Sequence, residues 1–417
     1  LDDSDYFGGS CAGLGDLNED GVPDLLVGAY TDDDVYSDSG AVYILFLKTD
    51  GDVQSVQKIS NSYGSLIPYT GYVGASDYFG WSSDSMGDLD GDGVRDAVVG
   101  ALYDDDGGSN YGAVYIVFLE TNGYVKSAQK ISSSYGSFSS FYSLGSSDYF
   151  GSGCAWVSDV DSDGVMDLAV TASYDDDGGT DSGAVYILFL TTAGYVKSAQ
   201  KISNFYGRLP YTLGGSDYFG YSPTIGSGDL DGDGVADLSI GAYADDDGGT
   251  NTGSLFVLFL TTDGLVKSGQ KISNLYGNLP YSIGGSDYFG FSSTLVDVDG
   301  DGLKDLVAGA YLDDDGGSNV GAVYVLFLHS ENCRTPYPTT TPVPSTPAPT
   351  PRPSTGIPTG TPAPTGLDCF TDGTVSSAQK ISNFYGSMPY SLESSDEFGW
   401  STTSVGDVDG DGVTDLV

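Results

Sequence analysis

The sequence predicts an all-β fold, a β-propeller of four-stranded antiparallel blades with five full blades and a partial sixth. Three observations predict it. A unit of about 70 residues recurs along the chain, each unit holds four short apolar or alternating runs, and the joints between runs are rich in glycine and aspartate. The string SDYFG recurs with its aspartate at Asp5, Asp77, Asp148, Asp217 and Asp287, and SDEFG puts Asp396 in the same place. Those aspartates are 72, 71, 69, 70 and 109 residues apart, so the last unit carries an insertion of about 39 residues.

Within a unit the order is constant: FG and a short run, a DxDxDGxxD loop, an apolar run ending near GAY, a DDDGG loop, a GAVYILFL run, a turn, and VKSAQKIS. In the second unit the four strands are expected at about Phe79–Met86, Arg95–Leu102, Ala113–Leu119 and Ser127–Ser132. Glycine in ETNGYVKS and TTDGLVKS supplies the tight turn between the third and fourth strands. Four short strands cannot bury both faces of their sheet alone, so copies must stack, and radial stacking gives a propeller. A linear solenoid fits less well, because its usual period is shorter and its coils are parallel.

Residues 1–332 are read as blades one to five, 333–369 as a Pro/Thr-rich disordered insert within blade five, and 370–417 as the end of blade five and a partial blade six. The chain begins and ends inside units, which reads as a fragment of a longer repeat protein. The insert holds 11 of the 17 prolines, so it is expected to be extended, as an O-glycosylated stalk or as an unmodified spacer. Cys333 and Cys369 flank it and are expected to form a disulfide, which needs an oxidising compartment. Cys11 and Cys154 occupy equivalent places in non-adjacent blades and are expected to stay free and buried.

The formal net charge is −45, from 59 acidic and 14 basic residues. Such a field repels nucleic acid and anionic membranes. No CxxC spacing supports zinc, and no run of 18 apolar residues is present. The acids are organised. Six loops match DxDxDGxxD with one asparagine replacement: Asp16, Asn18, Asp20 and Asp24; Asp88, Asp90, Asp92 and Asp96; Asp159, Asp161, Asp163 and Asp167; Asp229, Asp231, Asp233 and Asp237; Asp297, Asp299, Asp301 and Asp305; Asp407, Asp409, Asp411 and Asp415.

Oxygen ligands at positions 1, 3, 5 and 9, with glycine at 6 for the turn, form the hard-oxygen cage that calcium prefers. An EF-hand needs an acid at position 12, but here that position holds Val27, Val99, Val170, Ile240 and Ala308. The loop is therefore a hairpin connection closed at position 9.

With these loops in place the chain resembles the FG-GAP repeats of the integrin α-subunit head. Phe7-Gly8, Phe79-Gly80, Phe150-Gly151, Phe219-Gly220, Phe289-Gly290 and Phe398-Gly399 match the FG element, and Gly28-Ala29-Tyr30, Gly241-Ala242-Tyr243 and Gly309-Ala310-Tyr311 match GAP with tyrosine for proline. The resemblance implies a seven-bladed propeller with calcium in the hairpin between the first two strands. It also implies ligands that approach the opposite face. The unit here is longer than the animal integrin repeat, and a secreted repeat protein is the closer match.

A second acidic motif follows strand two: Asp32 to Asp34; Asp104, Asp105 and Asp106; Asp175, Asp176 and Asp177; Asp245, Asp246 and Asp247; Asp313, Asp314 and Asp315. In an up-and-down blade these loops lie on the face opposite the calcium hairpins. They read as solvated turns, as additional calcium sites, or as a docking face for a cationic or metal-bridged ligand. The aromatics of SDYFG are expected to pack between blades, with sugar stacking as the alternative. The lysines of VKSAQKIS are expected to protect an outer edge strand, with a charge partner for the acidic loops as the less economical alternative.

The single histidine, His329, and the near-identical carboxylate sets argue against an enzyme; glycoside chemistry needs two carboxylates in unlike surroundings. The function expected is calcium-dependent extracellular recognition or adhesion through a protein, matrix or glycan ligand. A propeller lectin or a calcium-stabilised structural protein of the cell surface is the alternative.

Overall fold

A computed structural model of the chain describes every residue except 3, 67–72, 86, 331–370, 387, 389–390 and 411–413. Blade one is built from β1 (Phe7–Gly15), β2 (Asp24–Ala29), β3 (Ala41–Leu47) and β4 (Val53–Ile59). Blade two follows with β5 (Phe79–Ser85), β6 (Ala97–Ala101), β7 (Ala113–Leu119) and β8 (Val125–Ser132), and blade three with β9 (Phe150–Trp156), β10 (Leu168–Ala172), β11 (Ala184–Leu190) and β12 (Val196–Ile202). Blade four has β13 (Gly226–Gly228), β14 (Asp237–Ala242), β15 (Ser254–Leu260) and β16 (Val266–Ile272). Blade five has β17 (Phe289–Val296), β18 (Asp305–Ala310), β19 (Ala322–Ser330) and β20 (Thr371–Ile381), and the sixth sheet holds β21 (Ser404–Gly406) and β22 (Asp415–Leu416).

Neighbouring strands in each full blade are antiparallel and in sequence order. The first strands of successive blades touch one another, and β21 touches both β17 and β1, so the ring closes on six sheets. The Trp400 indole N–H donates to the Gly9 carbonyl at 3.1 Å across that seam. The seven blades implied by the resemblance are not what closes this ring. The insert, with Cys333, Cys369 and the end of the 1–332 unit, lies outside the described residues.

The core sits between blades. Side chains of blades one and two, two and three, three and four, and four and five each merge into one buried cluster. This is what the sequence pattern requires, because β2, β3 and their equivalents are apolar on both faces and need a neighbour on each. The phenylalanines of the FG elements fill these clusters: Phe79, Phe150, Phe219 and Phe289 are fully buried. That answers the packing expectation for the phenylalanine of SDYFG.

The blades approach so closely that the glycines have steric reasons. A Cβ on Gly28 would stand 2.0 Å from the Gly80 carbonyl oxygen of the next blade, and one on Gly309 would stand 1.9 Å from that of Gly399. Blade three carries Thr171 at this position. Its hydroxyl donates to the Gly220 carbonyl at 2.6 Å, and the first strand of the following blade shrinks to Gly226–Gly228.

Candidate cation loops and the acidic face

Each DxDxDGxxD loop is ordered by its own carboxylates. At position 1, Asp16 accepts the Asp20 and Gly21 N–H groups at 2.9 and 2.8 Å, and Asp88 does the same for Asp92 and Gly93. At position 9 the buried Asp24 accepts from Leu17 and from Leu47, each at 3.0 Å, which ties the hairpin to the end of the third strand. Asp96, Asp167 and Asp237 repeat both bonds. Burial pushes Asp96 and Asp237 up to about 7 and Asp167 and Asp305 up to about 6. The two backbone donors on Asp96, Asp167 and Asp237, and the one from Val298 on Asp305, do not fully compensate the desolvation of these charges.

The remaining oxygens converge. One carboxylate oxygen from each of Asp88, Asp90 and Asp96 lies within 4.8 Å of the others, and the trios Asp159, Asp161 and Asp167, then Asp229, Asp231 and Asp237, then Asp297, Asp299 and Asp305 do the same. Asp231 also has a buried oxygen, Oδ1, without a hydrogen-bond partner among the described residues. Positions 1, 3 and 9 thus form a hard-oxygen set suited to a divalent cation. The position-5 residues Asp92, Asp163 and Asp233 stand outside the trios and share a lysine with the position-3 aspartate of the same loop. The first loop has the same scaffold, with Asn18 donating to Asp20 at 3.1 Å. In the sixth, Val408 donates to Asp415 at 2.9 Å, and Asp407 and Asp409 are described, whereas Asp411 lies outside the described residues.

The opposite face departs from expectation. The first aspartate of each DDD triplet is buried: Asp32, Asp104, Asp175, Asp245 and Asp313 are all at most 3% exposed. Each is paired with the second lysine of the VKSAQKIS segment in its own blade, as in Lys58 with Asp32 at 2.7 Å and Lys380 with Asp313 at 2.6 Å. In four blades the tyrosine of the third strand, Tyr43, Tyr115, Tyr186 or Tyr324, donates to the same carboxylate. In blades two to five the middle aspartates, Asp105, Asp176, Asp246 and Asp314, each accept a backbone N–H five residues on and so close the turn. The third ones, Asp34, Asp106, Asp177, Asp247 and Asp315, pair with the same lysines.

The edge-protection reading of these lysines is therefore corrected. Lys130, Lys201, Lys271 and Lys380 are at most 7% exposed, and the desolvation of each ammonium is offset by two carboxylates and an aromatic face. In each triplet one acid is buried, and a second shares its counter-ion. The signal was present as spacing, since the first aspartate and the lysine are 26 residues apart in blades one to four.

The SDYFG tyrosines pack between blades as expected, and sequence reasoning missed the partners that extend them into a continuous line. Tyr6, Tyr30, Tyr78, Tyr103, Tyr149, Tyr174, Tyr218, Tyr243, Tyr288 and Tyr311 follow one another with centroids 4.4 to 5.7 Å apart. They alternate between the DYFG and the AY, LY or SY elements of successive blades. Trp81, Tyr221, Phe291 and Trp400 meet inside the ring. Cys11 and Cys154 are buried and free, as expected, and burial raises both thiols well above their usual range of ionisation.

These blades, their FG glycines and their acidic hairpins define a β-propeller of FG-GAP repeats. The FG-GAP repeat model matches residues 7–45, 150–188, 220–258 and 289–326. The chain thus carries FG-GAP repeats and resembles the integrin alpha-subunit head. It is 31% identical over 252 residues to integrin alpha-5 of Xenopus laevis, covering 58% of this chain and 20% of that subunit. With integrin alpha-3 of Mus musculus it shares 30% identity over 206 residues, covering 49% and 17%. The chain thus spans a fifth or less of these relatives. Among solved structures, the exotype rhamnogalacturonan lyase YesX aligns with a TM-score of 0.36 at 13% identity, over 75% of this chain and 55% of the lyase.

Proposed function

We propose that this propeller is a calcium-stabilised extracellular module for recognition or adhesion, without catalytic activity, whose ligand is a protein, matrix or glycan component of a surface. The observation that carries the calcium reading is the convergence of positions 1, 3 and 9 in four successive loops, with an orphaned buried oxygen on Asp231. The similarity to integrin alpha subunits supports adhesion. No helix among the described residues is long and apolar enough to cross a membrane. The Cys333–Cys369 disulfide belongs to this proposal. Its support is that Ser330 and Thr371 are register partners, so the strands on either side of the insert meet.

Calcium titration by calorimetry, followed by thermal unfolding with and without EGTA, tests the reading. A bound ion at 100 times its dissociation constant adds about 2.7 kcal/mol of stability. Saturable binding at several sites and a large fall in melting temperature with EGTA are expected; an unchanged melting temperature refutes the site assignment.

The tyrosine line favours a second reading, a carbohydrate-binding propeller, because aromatic faces stack on sugars and Tyr6 is 63% exposed. Sugar-competable signal on a glycan array selects it over protein adhesion.

A further inference from the structure

The VKSAQKIS segment carries two lysines, and they go to opposite ends of the blade. The second reaches the DDD loop. The first, in blades two, three and four, reaches the cation hairpin. Lys126 lies 2.7 Å from Asp90 and 2.6 Å from Asp92, Lys197 lies 3.0 Å from Asp161 and also contacts Asp163, and Lys267 lies 2.8 Å from Asp231 and also contacts Asp233. In every case the ammonium bridges positions 3 and 5 of the loop.

Blades one and five break this pattern. Gln54 and Ser376 stand where the lysine would be, and the Ser376 hydroxyl donates to the Phe327 carbonyl at 2.9 Å. Among the described residues no lysine or arginine pairs with Asp16, Asp20, Asp297, Asp299 or Asp301; Lys304, inside the fifth loop, makes no ion pair. The fifth hairpin keeps the same converging trio as the second, third and fourth, whereas the first differs further by the neutral Asn18 at position 3.

We infer that Lys126, Lys197 and Lys267 are tethered cations that divide the hairpins into two classes, a weak class in blades two to four and a tight class that includes blades one and five. The inference rests on the calcium reading and deepens it. A fixed positive charge a few ångströms from the ion repels it, and Coulomb's law in water-like surroundings makes that of the order of tenfold in affinity per site. The same ammonium offsets the mutual repulsion of positions 3 and 5 while no ion is bound. Lysine-bearing blades therefore keep their hairpins ordered through calcium loss, and blades one and five depend on the ion.

The test is calorimetric titration of the full chain with calcium, comparing wild type with the triple variant Lys126→Gln, Lys197→Gln and Lys267→Gln. Wild type should bind in two classes. The triple variant should gather the sites into the tight class with unchanged stoichiometry, and should melt at a lower temperature in EGTA. The reciprocal pair Gln54→Lys and Ser376→Lys, which removes no native contact of a cation hairpin, should move two tight sites into the weak class. Identical isotherms for wild type and both variants overturn the inference while leaving calcium binding intact. Absence of binding to any of the proteins sinks the calcium reading itself, and the inference with it.

Discussion

Lys201 lies 2.7 Å from the Asp175 carboxylate, and both side chains are 5% exposed. The Tyr186 hydroxyl donates to that carboxylate at 3.0 Å, and its ring lies under the ammonium. Such a group is expensive to break from one side, because the partner is left buried and charged. Lys201→Met should cost about 3–5 kcal/mol, read as a shift of the urea midpoint. Tyr186→Phe should cost less, about 1.5–3 kcal/mol, the value of one hydrogen bond to a charged group. Blade four supports the smaller figure, because Phe256 already stands in that place above Lys271. Equal losses for the two variants would contradict the assignment of Lys201 as the counter-ion.

The position-9 aspartates set the sign of the pH dependence. Without metal, Asp96 and Asp237 are pushed up to about 7, against about 3.9 for an aspartate in an unfolded chain. Between those values the folded state binds more protons than the unfolded one, so stability is present at low pH and is lost as pH rises through 7. In EGTA, melting temperature should therefore rise as pH is lowered from 8 towards 5. With calcium the order reverses, because the ion needs deprotonated ligands and its affinity falls with pH. Melting curves with the same slope in calcium and EGTA would show that position 9 does not ligate the ion.

The close contact of successive blades predicts a steric cost at Gly309. A Cβ there meets backbone, the Gly399 carbonyl at 1.9 Å, so no side-chain rotation relieves it. Gly309→Ala should destabilise by at least the 1–3 kcal/mol typical of overpacking. Blade three carries Thr171 at the equivalent position, where its hydroxyl donates to the Gly220 carbonyl of the next blade. A neutral Gly309→Ala substitution would mean that blades five and six do not pack as described.

How far the chain could be read beforehand varies with the kind of signal. The third strand of blade two, Ala113–Leu119, matches its expected limits because apolar residues end abruptly at both sides. The second begins at Ala97 and not Arg95, since Asp96 turns back to lock the hairpin. The fourth begins at Val125 and not Ser127, because its N–H donates to Gly64 of the neighbouring blade, a contact between units that no local pattern shows. Spacing picked out the hairpin aspartates, but not that Asp88, Asp90 and Asp96 converge while Asp92 stands outside them. The role of Lys130 was not legible, because a rule for edge strands assumes exposure, and this side chain folds under its own blade onto Asp104. The tyrosine line was only half visible for a similar reason: its two halves come from different elements, and only the packing of successive blades interleaves them.

The insert offers the last prediction. Ser330 and Thr371 are paired in register, so the proposed Cys333–Cys369 bridge would be needed neither to align β19 with β20 nor to define their order. Its effect would fall on the unfolded chain, where it closes a loop of 36 residues (369 minus 333). The chain-entropy relation puts that at roughly 3–4 kcal/mol. Replacing residues 334–368 with a short Gly-Ser turn shortens the loop in the unfolded state by itself. It should therefore recover most of the stability lost on reduction, with or without the cysteines. Peptide mapping of the non-reduced protein should find the two cysteines joined. If both are free, and reduction leaves the urea midpoint unchanged, the bridge is refuted.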